Sequence, residues 1–402
     1  MFKLRLASAI KLLLLLAVIG IVSQSILLYL SYEGTYDPLP QVLSQTSLHK
    51  AYALWHKLPS ISATSQEQSV TRDTPTFVIT LQARKDRQKN MEKLRERLGM
   101  RWIYVGATEA TSPLTRSLMQ LVRQQRNSTH RANATTKFLW PGEGAQVHTA
   151  NPFWIDPSEA MQRALQSDMH ESEPLTCATE DDTLQPYNST LPEYRILTPE
   201  RIAVWNSHIS LLRAIRAQSS VASSGRSDAG IAALILEDDV SAEYDLVHRL
   251  DSIWAFVPTG WDIVFLGHCW SDETFFPPLP SSPITSTRIH PSHAPKCTHA
   301  YAVSTKGARK LLHHLLYPPF AYSRALDQAM AWLVQSKRLK GYSLVPSVVV
   351  QSKSTRSDVM KGAGEDGNGS RWKDTLERDA LGDGGLYEPH HVAIGLTRVA
   401  RA

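Results

Sequence analysis

The chain is poor in cysteine and carries no strong excess of either charge. It has three cysteines in 402 residues, which excludes a small domain held together by a network of disulfides. The formal net charge is +5 at pH 7, with 43 Lys and Arg against 38 Asp and Glu. Because the basic residues are dispersed among acidic ones, nucleic-acid binding is not predicted. A hydrophobic fraction of 42% is enough for the core of one large domain or two ordinary ones.

A long apolar run lies near the N-terminus. Residues 12–30 contain no charge, and these 19 residues are about the length that a helix needs to cross a bilayer core. Three basic residues precede the run and the first acid is Glu33, so the distribution predicts a cytosolic tail at 1–11 and a lumenal body. A cleaved signal peptide is the alternative, since residues 22–25 (VSQS) offer small residues after an apolar region. The apolar run continues to Leu30, which favours an uncleaved membrane anchor.

Four N-x-[ST] sequons agree with a location in the secretory pathway. They begin at Asn127, Asn133, Asn188 and Asn368. All four lie in polar stretches, and glycans need exposed loops. We therefore predict a glycoprotein.

The cysteines allow a single intramolecular disulfide. Lumenal conditions would let Cys269 pair with Cys297 and leave Cys177 alone. A zinc site is the alternative, although the segment is rich in Pro and Ser and lacks a recognised ligand spacing. Its ligands would be His290, His293, Cys297 and His299.

The globular part is predicted to begin near residue 74. Residues 31–73 are rich in Ser, Thr, Gln and Pro, which indicates a stem. Residues 76–81 predict a strand, 86–98 a helix that ends at Gly99, and 102–105 a second strand. A strand, a helix and a strand in this order predict a parallel sheet.

The rest of the chain alternates between strands and helices after an irregular region. Residues 108–196 are polar without clear periodicity and are predicted to be an insertion, with a short helix at 152–164. Strands are predicted at 231–236, 262–266, 299–304 and 342–350, and helices from Pro199 onward and at 242–254, 305–316 and 325–334. This alternation predicts an α/β fold, and residues 361–402 a C-terminal tail.

Three carboxylates follow the predicted strand at 231–236. Ligands of open α/β sheets gather at the carboxyl ends of strands, and carboxylate oxygens suit Mg²⁺ or Mn²⁺. Since alternate side chains of an extended segment point the same way, Glu237 and Asp239 could share one ion while Asp238 faces elsewhere. The alternative is a solvated turn after a strand.

Several segments, in this order, resemble glycosyltransferase family 25, which includes bacterial lipooligosaccharide glycosyltransferases and procollagen galactosyltransferases. They are FVITL at 77–81 with Arg84 and Arg87, LTPE at 197–200 with WNSH at 205–208, LEDDV at 236–240, DIVFLG at 262–267 and AYAVSTKGA at 300–308. The resemblance covers residues 76–107 and 197–359. Thr80 stands where the family usually has Asn, and the insertion is longer than expected; both departures bear on acceptor choice more than on fold.

The resemblance implies an enzyme and its general architecture. The fold would be a GT-A-like, Rossmann-type mixed sheet flanked by helices over residues 74–360, preceded by the single transmembrane helix. The activity would move a hexose, commonly galactose, from a UDP-sugar to a hydroxyl of a glycan or glycoprotein, with inversion. Glu237 and Asp239 would hold Mn²⁺ or Mg²⁺ against the diphosphate. The family and the membrane topology together imply the Golgi.

The resemblance also suggests roles for single residues. Asp327 would be the base that accepts the proton of the acceptor hydroxyl, and Asp358 the reserve base or a residue of the metal loop. Donor-binding residues would be Arg84, Arg87, His208, Asp238, Gly267 and His268, with Gly267 permitting a close backbone approach.

Each of these residues also has a structural interpretation. Asp327 could be an exposed helix carboxylate, His208 a buried structural histidine, and the two arginines solvated bases beside a helix that Asp86 caps. Two other functional classes stay open: a metal-dependent phosphoesterase and a non-catalytic lumenal binding protein.

Overall fold

The structure is a computed structural model that describes residues 41–55, 57–58, 69–131, 151–153, 173–178, 184–221, 231–280, 285–352 and 375–382. The chain divides into two compact units, Met1–Gln41 and Val42–Ala402, and all elements described below belong to the second. No helix within the described ranges is long and apolar enough to cross a membrane. The predicted tail at 1–11 and anchor at 12–30 lie outside those ranges.

Nine strands are present in the described part of the chain. They are β1 (Thr76–Thr80), β2 (Ile103–Gly106), β3 (Ile231–Glu237), β4 (Val240–Ala242), β5 (Ile263–Phe265), β6 (Arg288–Pro291), β7 (Ala300–Ser304), β8 (Gly341–Val345) and β9 (Val349–Gln351). Seven of them form one sheet in the order β2-β1-β3-β7-β5-β8-β6, and β4 pairs with β9 in a second, two-stranded sheet.

The seven-stranded sheet is mixed. Strands β2, β1 and β3 are mutually parallel, and β5 is parallel to β8. Strand β7 runs antiparallel between β3 and β5, and β6 runs antiparallel at the edge. Five of the seven strands therefore point the same way, and their carboxyl ends lie at one edge of the sheet. The predicted α/β class and the parallel pairing of the first two strands are confirmed.

Helices cover both faces of the sheet. They are α1 (Ala51–Trp55), α2 (Val70–Asp73), α3 (Lys85–Leu98), α4 (Pro113–Arg131), α5 (Pro199–Val221), α6 (Leu246–Trp254), α7 (Thr305–Leu315) and α8 (Leu326–Gln335), with short 3₁₀ turns at Gln45–Lys50 and Glu193–Arg195. Helices α4, α5, α7 and α8 pack on one face, and α3 and α6 on the other.

Strand β5 and strand β3 up to Leu236 are apolar because both of their faces are covered. In β3, Ala233 and Ile235 belong to the core beneath α5 and α7, whereas Leu234 and Leu236 belong to the core beneath α3 and α6. The predicted end of α3 is confirmed, since Gly99 adopts the left-handed conformation with φ +57° and its N–H bonds to carbonyls of the last turn.

Two predicted elements have different boundaries. Residues 342–350 form two strands, β8 and β9, that belong to different sheets. Pro346 lies between them and has no N–H for a continuous ladder. Residues 240–242, which include the start of the predicted helix at 242–254, form β4, and α6 begins at Leu246.

The predicted stem at 31–73 is wrong for the residues that the structure describes from Val42 onward. Leu48, Ala51 and Trp55 are buried in the core, and Leu43 forms a bridge with Val105 at the edge of β2. The three core residues lie three and four positions apart, which is helical spacing. Polar neighbours obscured this pattern in the sequence. The folded domain therefore begins near Val42 rather than near residue 74.

The region 108–196 is more ordered than its composition indicates. Helix α4 occupies residues 113–131 and buries Leu118, Leu121 and Val122 in the core. Further along, Thr176 forms a bridge with Ile196. The prediction of an irregular insertion is thus wrong for these segments, since one apolar stripe is enough to dock a helix whose other faces are polar. Most of the predicted helix at 152–164 lies outside the described residues.

Part of the predicted tail at 361–402 also packs on the domain. Ala380 is buried, and its N–H bonds to the carbonyl of Ala242 at 2.8 Å. The N–H groups of Glu377 and Arg378 bond to the carboxylate of Glu243 at 2.7 and 3.0 Å. Residues 375–382 therefore belong to the folded domain.

Candidate active site

A cavity of about 580 Å³ lies where the carboxyl ends of β1 and β3 meet. These strands are parallel neighbours with Ile79 opposite Glu237, so the residues that follow them share one edge of the sheet. The other walls come from the first turns of α3, α5 and α8, from residues 296–299 before β7, and from Gln351 at the end of β9. The cavity is thus lined by segments that are far apart in the sequence.

Glu237 is the most accessible of the three consecutive carboxylates, with 24% of its side chain exposed. The Thr298 hydroxyl donates to Oε1 at 2.7 Å, and His208 Nε2 lies 3.3 Å from the same oxygen. Burial raises the pKa of Glu237, but the contacts with His208 and Thr298 outweigh it, and the net pKa is below the ordinary value. Glu237 is therefore a partly open, ionised carboxylate.

Asp238 is buried and fully engaged. Its Oδ2 accepts a hydrogen bond from the Thr80 hydroxyl at 2.6 Å, and its Oδ1 lies 2.9 Å from an Arg87 nitrogen. Burial raises the pKa of Asp238, and the positive charge of Arg87 opposes this effect. Asp238 thus ties the ends of β1 and β3 to the first turns of α3.

Asp239 has one satisfied and one unsatisfied oxygen. Gln351 donates to Oδ2 at 3.0 Å, and Arg87 lies 3.4 Å from the same atom. Among the described residues, no hydrogen-bond partner reaches the buried Oδ1. Burial and the nearby charge of Glu237 raise the pKa of Asp239 to about 7. A buried carboxylate oxygen without a donor is costly unless a cation or another ligand contacts it.

These residues fit a hard divalent cation. Glu237 and Asp239 offer oxygen ligands, one partly exposed and one buried without a partner. Arg87 pairs with Asp238 and Asp239, whereas Glu237 lies beside His208. The three carboxylates and the one guanidinium leave an excess of two negative charges if all are ionised. Oxygen ligands with this charge suit Mg²⁺ or Mn²⁺.

Asp327 lines the same cavity from the first turn of α8. Its side chain is half-buried, so the alternative of an exposed helix carboxylate is wrong. The N–H of Cys297 donates to its Oδ2 at 3.3 Å. Burial raises the pKa of Asp327, which suits a group that must accept a proton near neutral pH. Its role as base stays a prediction.

His208 is buried, as its structural interpretation predicts, and it also lines the cavity, while its role in donor binding stays a prediction. It is buried on α5 and its Nδ1 lies 2.9 Å from the Tyr301 hydroxyl, while its Nε2 faces Glu237 in the cavity wall. Tyr301 belongs to β7, so the histidine joins the helix, the sheet and the acidic cluster.

The predicted disulfide between Cys269 and Cys297 is confirmed, with a Cα–Cα distance of 5.8 Å. The alternative zinc site is wrong, because the Cys297 sulfur is bonded to Cys269 and His290 Nδ1 lies 2.8 Å from the carbonyl of Phe276. Cys177 is buried and unpaired. The disulfide fixes residues 296–299, whose Cys297 contacts Asp327 and whose Thr298 contacts Glu237.

Other predicted site residues lie elsewhere. Arg84 forms an ion pair with Asp86 at 2.9 Å and does not line the cavity. Gly267 is required for a close approach, since a Cβ there would overlap the Val349 carbonyl and the His299 ring. Neither Gly267 nor His268 lines the cavity, and Asp358 lies outside the described residues.

Two of the four sequons are within the described part of the chain. Asn188 is exposed, and its side-chain oxygen accepts a hydrogen bond from the N–H of Thr190 in a turn. Asn127 is exposed on α4 rather than in a loop. Asn133 and Asn368 lie outside the described residues.

Some cavity residues carry no signal in the sequence. Thr298 and Gln351 contact Glu237 and Asp239 from positions 61 and 112 residues away along the chain. Such contacts depend on strand order, which local patterns do not determine. The exposed aromatic residues Tyr194 and Trp270, which also line the cavity, belong to segments without clear periodicity.

No protein-family model matches the chain, and no curated protein matches it in sequence. The resemblance to glycosyltransferase family 25 therefore stays a prediction from the motifs, beside the geometry of the cavity.

Proposed function

We propose that the protein is a metal-dependent glycosyltransferase that moves a hexose, galactose by the resemblance, from a UDP-sugar to a hydroxyl of a glycan or glycoprotein. The observation that carries this proposal is the cavity itself. It brings Glu237 and Asp239, at the end of a buried strand, together with the separate carboxylate Asp327. A transferase of this type needs both a group that holds the diphosphate end of the donor and a base for the acceptor.

The acidic end of the cavity would serve the donor. Glu237 and Asp239 would hold Mn²⁺ or Mg²⁺, and the bound ion would neutralise the negative charge that develops on the departing diphosphate. Arg87 contacts Asp239 and the neighbouring Asp238; it would both fix their positions and add positive charge near the phosphates. His208 and Thr298 would keep Glu237 ionised and oriented.

Asp327 would serve the acceptor. The acceptor oxygen forms a bond to the anomeric carbon of the hexose while the bond from that carbon to the UDP oxygen breaks, with its electron pair leaving on UDP. The proton of the acceptor hydroxyl passes to the Asp327 carboxylate. Attack opposite the leaving group inverts the anomeric centre. The raised pKa of Asp327 makes it a stronger base than an ordinary aspartate.

We also propose a lumenal location, anchored by residues 12–30 in a membrane of the secretory pathway, the Golgi by the resemblance. The disulfide between Cys269 and Cys297 supports this location, because such bonds persist in oxidising compartments. The exposed sequon at Asn188 is also accessible to glycosylation.

The test is release of the nucleotide from a donor panel. The full-length protein is incubated with UDP-galactose, UDP-glucose, UDP-N-acetylglucosamine and GDP-mannose, with Mn²⁺ or with EDTA, with a mixture of glycoprotein acceptors present. The proposal expects release of UDP from one UDP-sugar, dependent on Mn²⁺ and lost in Asp239→Ala. Asp272→Ala is the matched control, because Asp272 is exposed and does not line the cavity.

Other outcomes would favour the other functional classes. Metal-dependent release of inorganic phosphate from a phosphate ester, without release of UDP, would favour a phosphoesterase. A folded protein that releases nucleotide from no donor in the presence of acceptors would refute the transferase and favour a binding protein.

A further inference from the structure

Two exposed large aromatic side chains line the cavity in the described part of the chain. They are Tyr194, 54% exposed, and Trp270, 62% exposed. An exposed ring that lines a cavity offers an apolar face to a ligand. The C–H groups on one face of a pyranose ring are slightly positive, and they are attracted to the negative face of an aromatic ring.

The backbone at Trp270 is unusual. Its φ is +57°, a left-handed conformation that is rare for a bulky residue and persists where the surroundings enforce it. The preceding residue supplies that constraint, because Cys269 is joined to Cys297 and its N–H bonds to the carbonyl of Lys296 at 3.0 Å. Cys297 is also left-handed, with φ +71°. Two constrained turns thus present the Trp270 ring at the cavity.

One continuous wall connects this ring to the reacting groups. The Cα atoms of Trp270 and Cys297 are at most about 10 Å apart, since adjacent Cα atoms are ~3.8 Å apart and the disulfide adds 5.8 Å. The N–H of Cys297 contacts Asp327, and the next residue, Thr298, contacts Glu237. Trp270, the proposed base and the proposed metal ligand are therefore linked through Cys297 and Thr298.

We propose that Trp270 is the platform on which a pyranose ring of the acceptor stacks, so that the acceptor is a saccharide rather than a bare hydroxyl side chain of a protein. This inference rests on the proposed transferase function. The donor diphosphate belongs at the acidic end, and the acceptor hydroxyl must reach Asp327. Trp270 is linked to Asp327 through Cys269 and its disulfide partner Cys297, whose N–H contacts the Asp327 carboxylate.

The test measures saccharide binding directly. Saturation-transfer NMR is recorded on the full-length protein with Mn²⁺ and UDP present, using methyl β-D-galactopyranoside, methyl β-D-glucopyranoside and methyl α-D-mannopyranoside as probes. At least one probe is expected to bind, and Trp270→Asn to weaken that binding about tenfold, as truncation of an aromatic anchor does. Asn tolerates the left-handed backbone, so the variant removes the ring without new strain. Trp270→Phe should retain most of the binding.

Phe275→Asn is the matched control. Phe275 lies five residues further along the same loop and is also 62% exposed, but it does not line the cavity. Its loss should leave binding of the probes unchanged. The inference is overturned if no probe binds the wild-type protein, or if Trp270→Asn binds the probes as the wild type does. A loss of UDP affinity in place of saccharide affinity would also overturn it, since the ring would then stack on uracil.

The two proposals can fail separately. Binding of a glycoside through Trp270 without release of UDP from any donor would refute the transferase and leave the saccharide platform. Release of UDP by the wild-type protein, with no effect of Trp270→Asn on glycoside binding, would support the transferase and refute the saccharide platform.

Discussion

Two clusters that each combine three carboxylates with one arginine lie in the described part of the folded domain, and they have the same formal charge. The cavity cluster contains Arg87 with Glu237, Asp238 and Asp239, and the Arg249 cluster contains Arg249 with Glu243, Asp245 and Glu377. Charge alone therefore does not distinguish a site from a structural network. The difference lies in how the oxygens are satisfied.

The Arg249 cluster is closed. Glu243 is fully buried and accepts hydrogen bonds from two backbone N–H groups of the segment 375–382. Arg249 lies 2.7 Å from both Asp245 and Glu377. This cluster attaches a segment near the C-terminus to α6, and its carboxylates have protein donors as partners.

The cavity cluster is open. No described residue donates to the buried Oδ1 of Asp239, and this unsatisfied oxygen rather than exposure makes the difference, because Asp245 and Glu377 are more exposed than Glu237. Its three carboxylates are consecutive in the chain, so their negative charge is concentrated at the end of β3. An acidic cluster therefore indicates a site only where the protein leaves carboxylate oxygens unsatisfied beside a cavity. Matched substitutions in the two clusters test this difference.

The largest expected effect is on catalysis by the cavity cluster. Glu237→Gln keeps an acceptor for Thr298 but removes the negative charge. We expect the metal-dependent release of UDP to fall roughly thousandfold, because stabilisation of the leaving group is lost. The free energy of unfolding should change little. Steady-state turnover and urea denaturation of the same preparation measure both quantities. Turnover within a factor of three of the wild type would remove Glu237 from the site.

The matched substitution in the Arg249 cluster should have the opposite profile. Glu243→Gln places an amide N–H₂ against a backbone N–H and leaves Arg249 with one fewer buried partner. We expect the free energy of unfolding to fall by about 3 kcal/mol, as when a buried ion pair loses one member. Turnover per folded molecule should be unchanged at a temperature where the variant is folded. A loss of turnover without a loss of stability would mean that the two clusters do not differ as argued.

The two clusters were not equally visible in the sequence. The cavity carboxylates follow an apolar run that reads directly as a buried strand, so their position at a sheet edge could be predicted. The Arg249 cluster could not, because Glu377 lies 128 residues from Arg249 and in a region predicted as a tail. Asp327 was reached only through the family resemblance. Helix α4 was missed, although Leu118, Leu121 and Val122 have helical spacing, because polar residues dominate that segment.

The disulfide should matter to the cavity more than to the Arg249 cluster. Replacing both Cys269 and Cys297 with Ser is expected to lower the free energy of unfolding by about 2 to 3 kcal/mol, since the bond closes a loop of 28 residues. Release of UDP should also fall, because Cys297 and Thr298 position Asp327 and Glu237. Turnover is measured without urea, at a temperature well below the melting transition. Full turnover there would show that packing alone fixes residues 296–299.

The smallest expected effect is on Mn²⁺ affinity, and it should differ between substitutions of two buried threonines. The Thr298 hydroxyl donates to Glu237, and the Thr287 hydroxyl accepts from Arg249 at 3.2 Å. Thr298→Val removes a contact that orients a proposed metal ligand, so Mn²⁺ affinity should fall about tenfold. Thr287→Val should leave Mn²⁺ affinity unchanged, since its partner lies in the closed cluster. Electron paramagnetic resonance of free Mn²⁺ measures the affinity without any donor present. Equal affinities in the two variants would mean that Glu237 does not bind the ion. A ligand other than a metal ion would then contact the unsatisfied Oδ1 of Asp239.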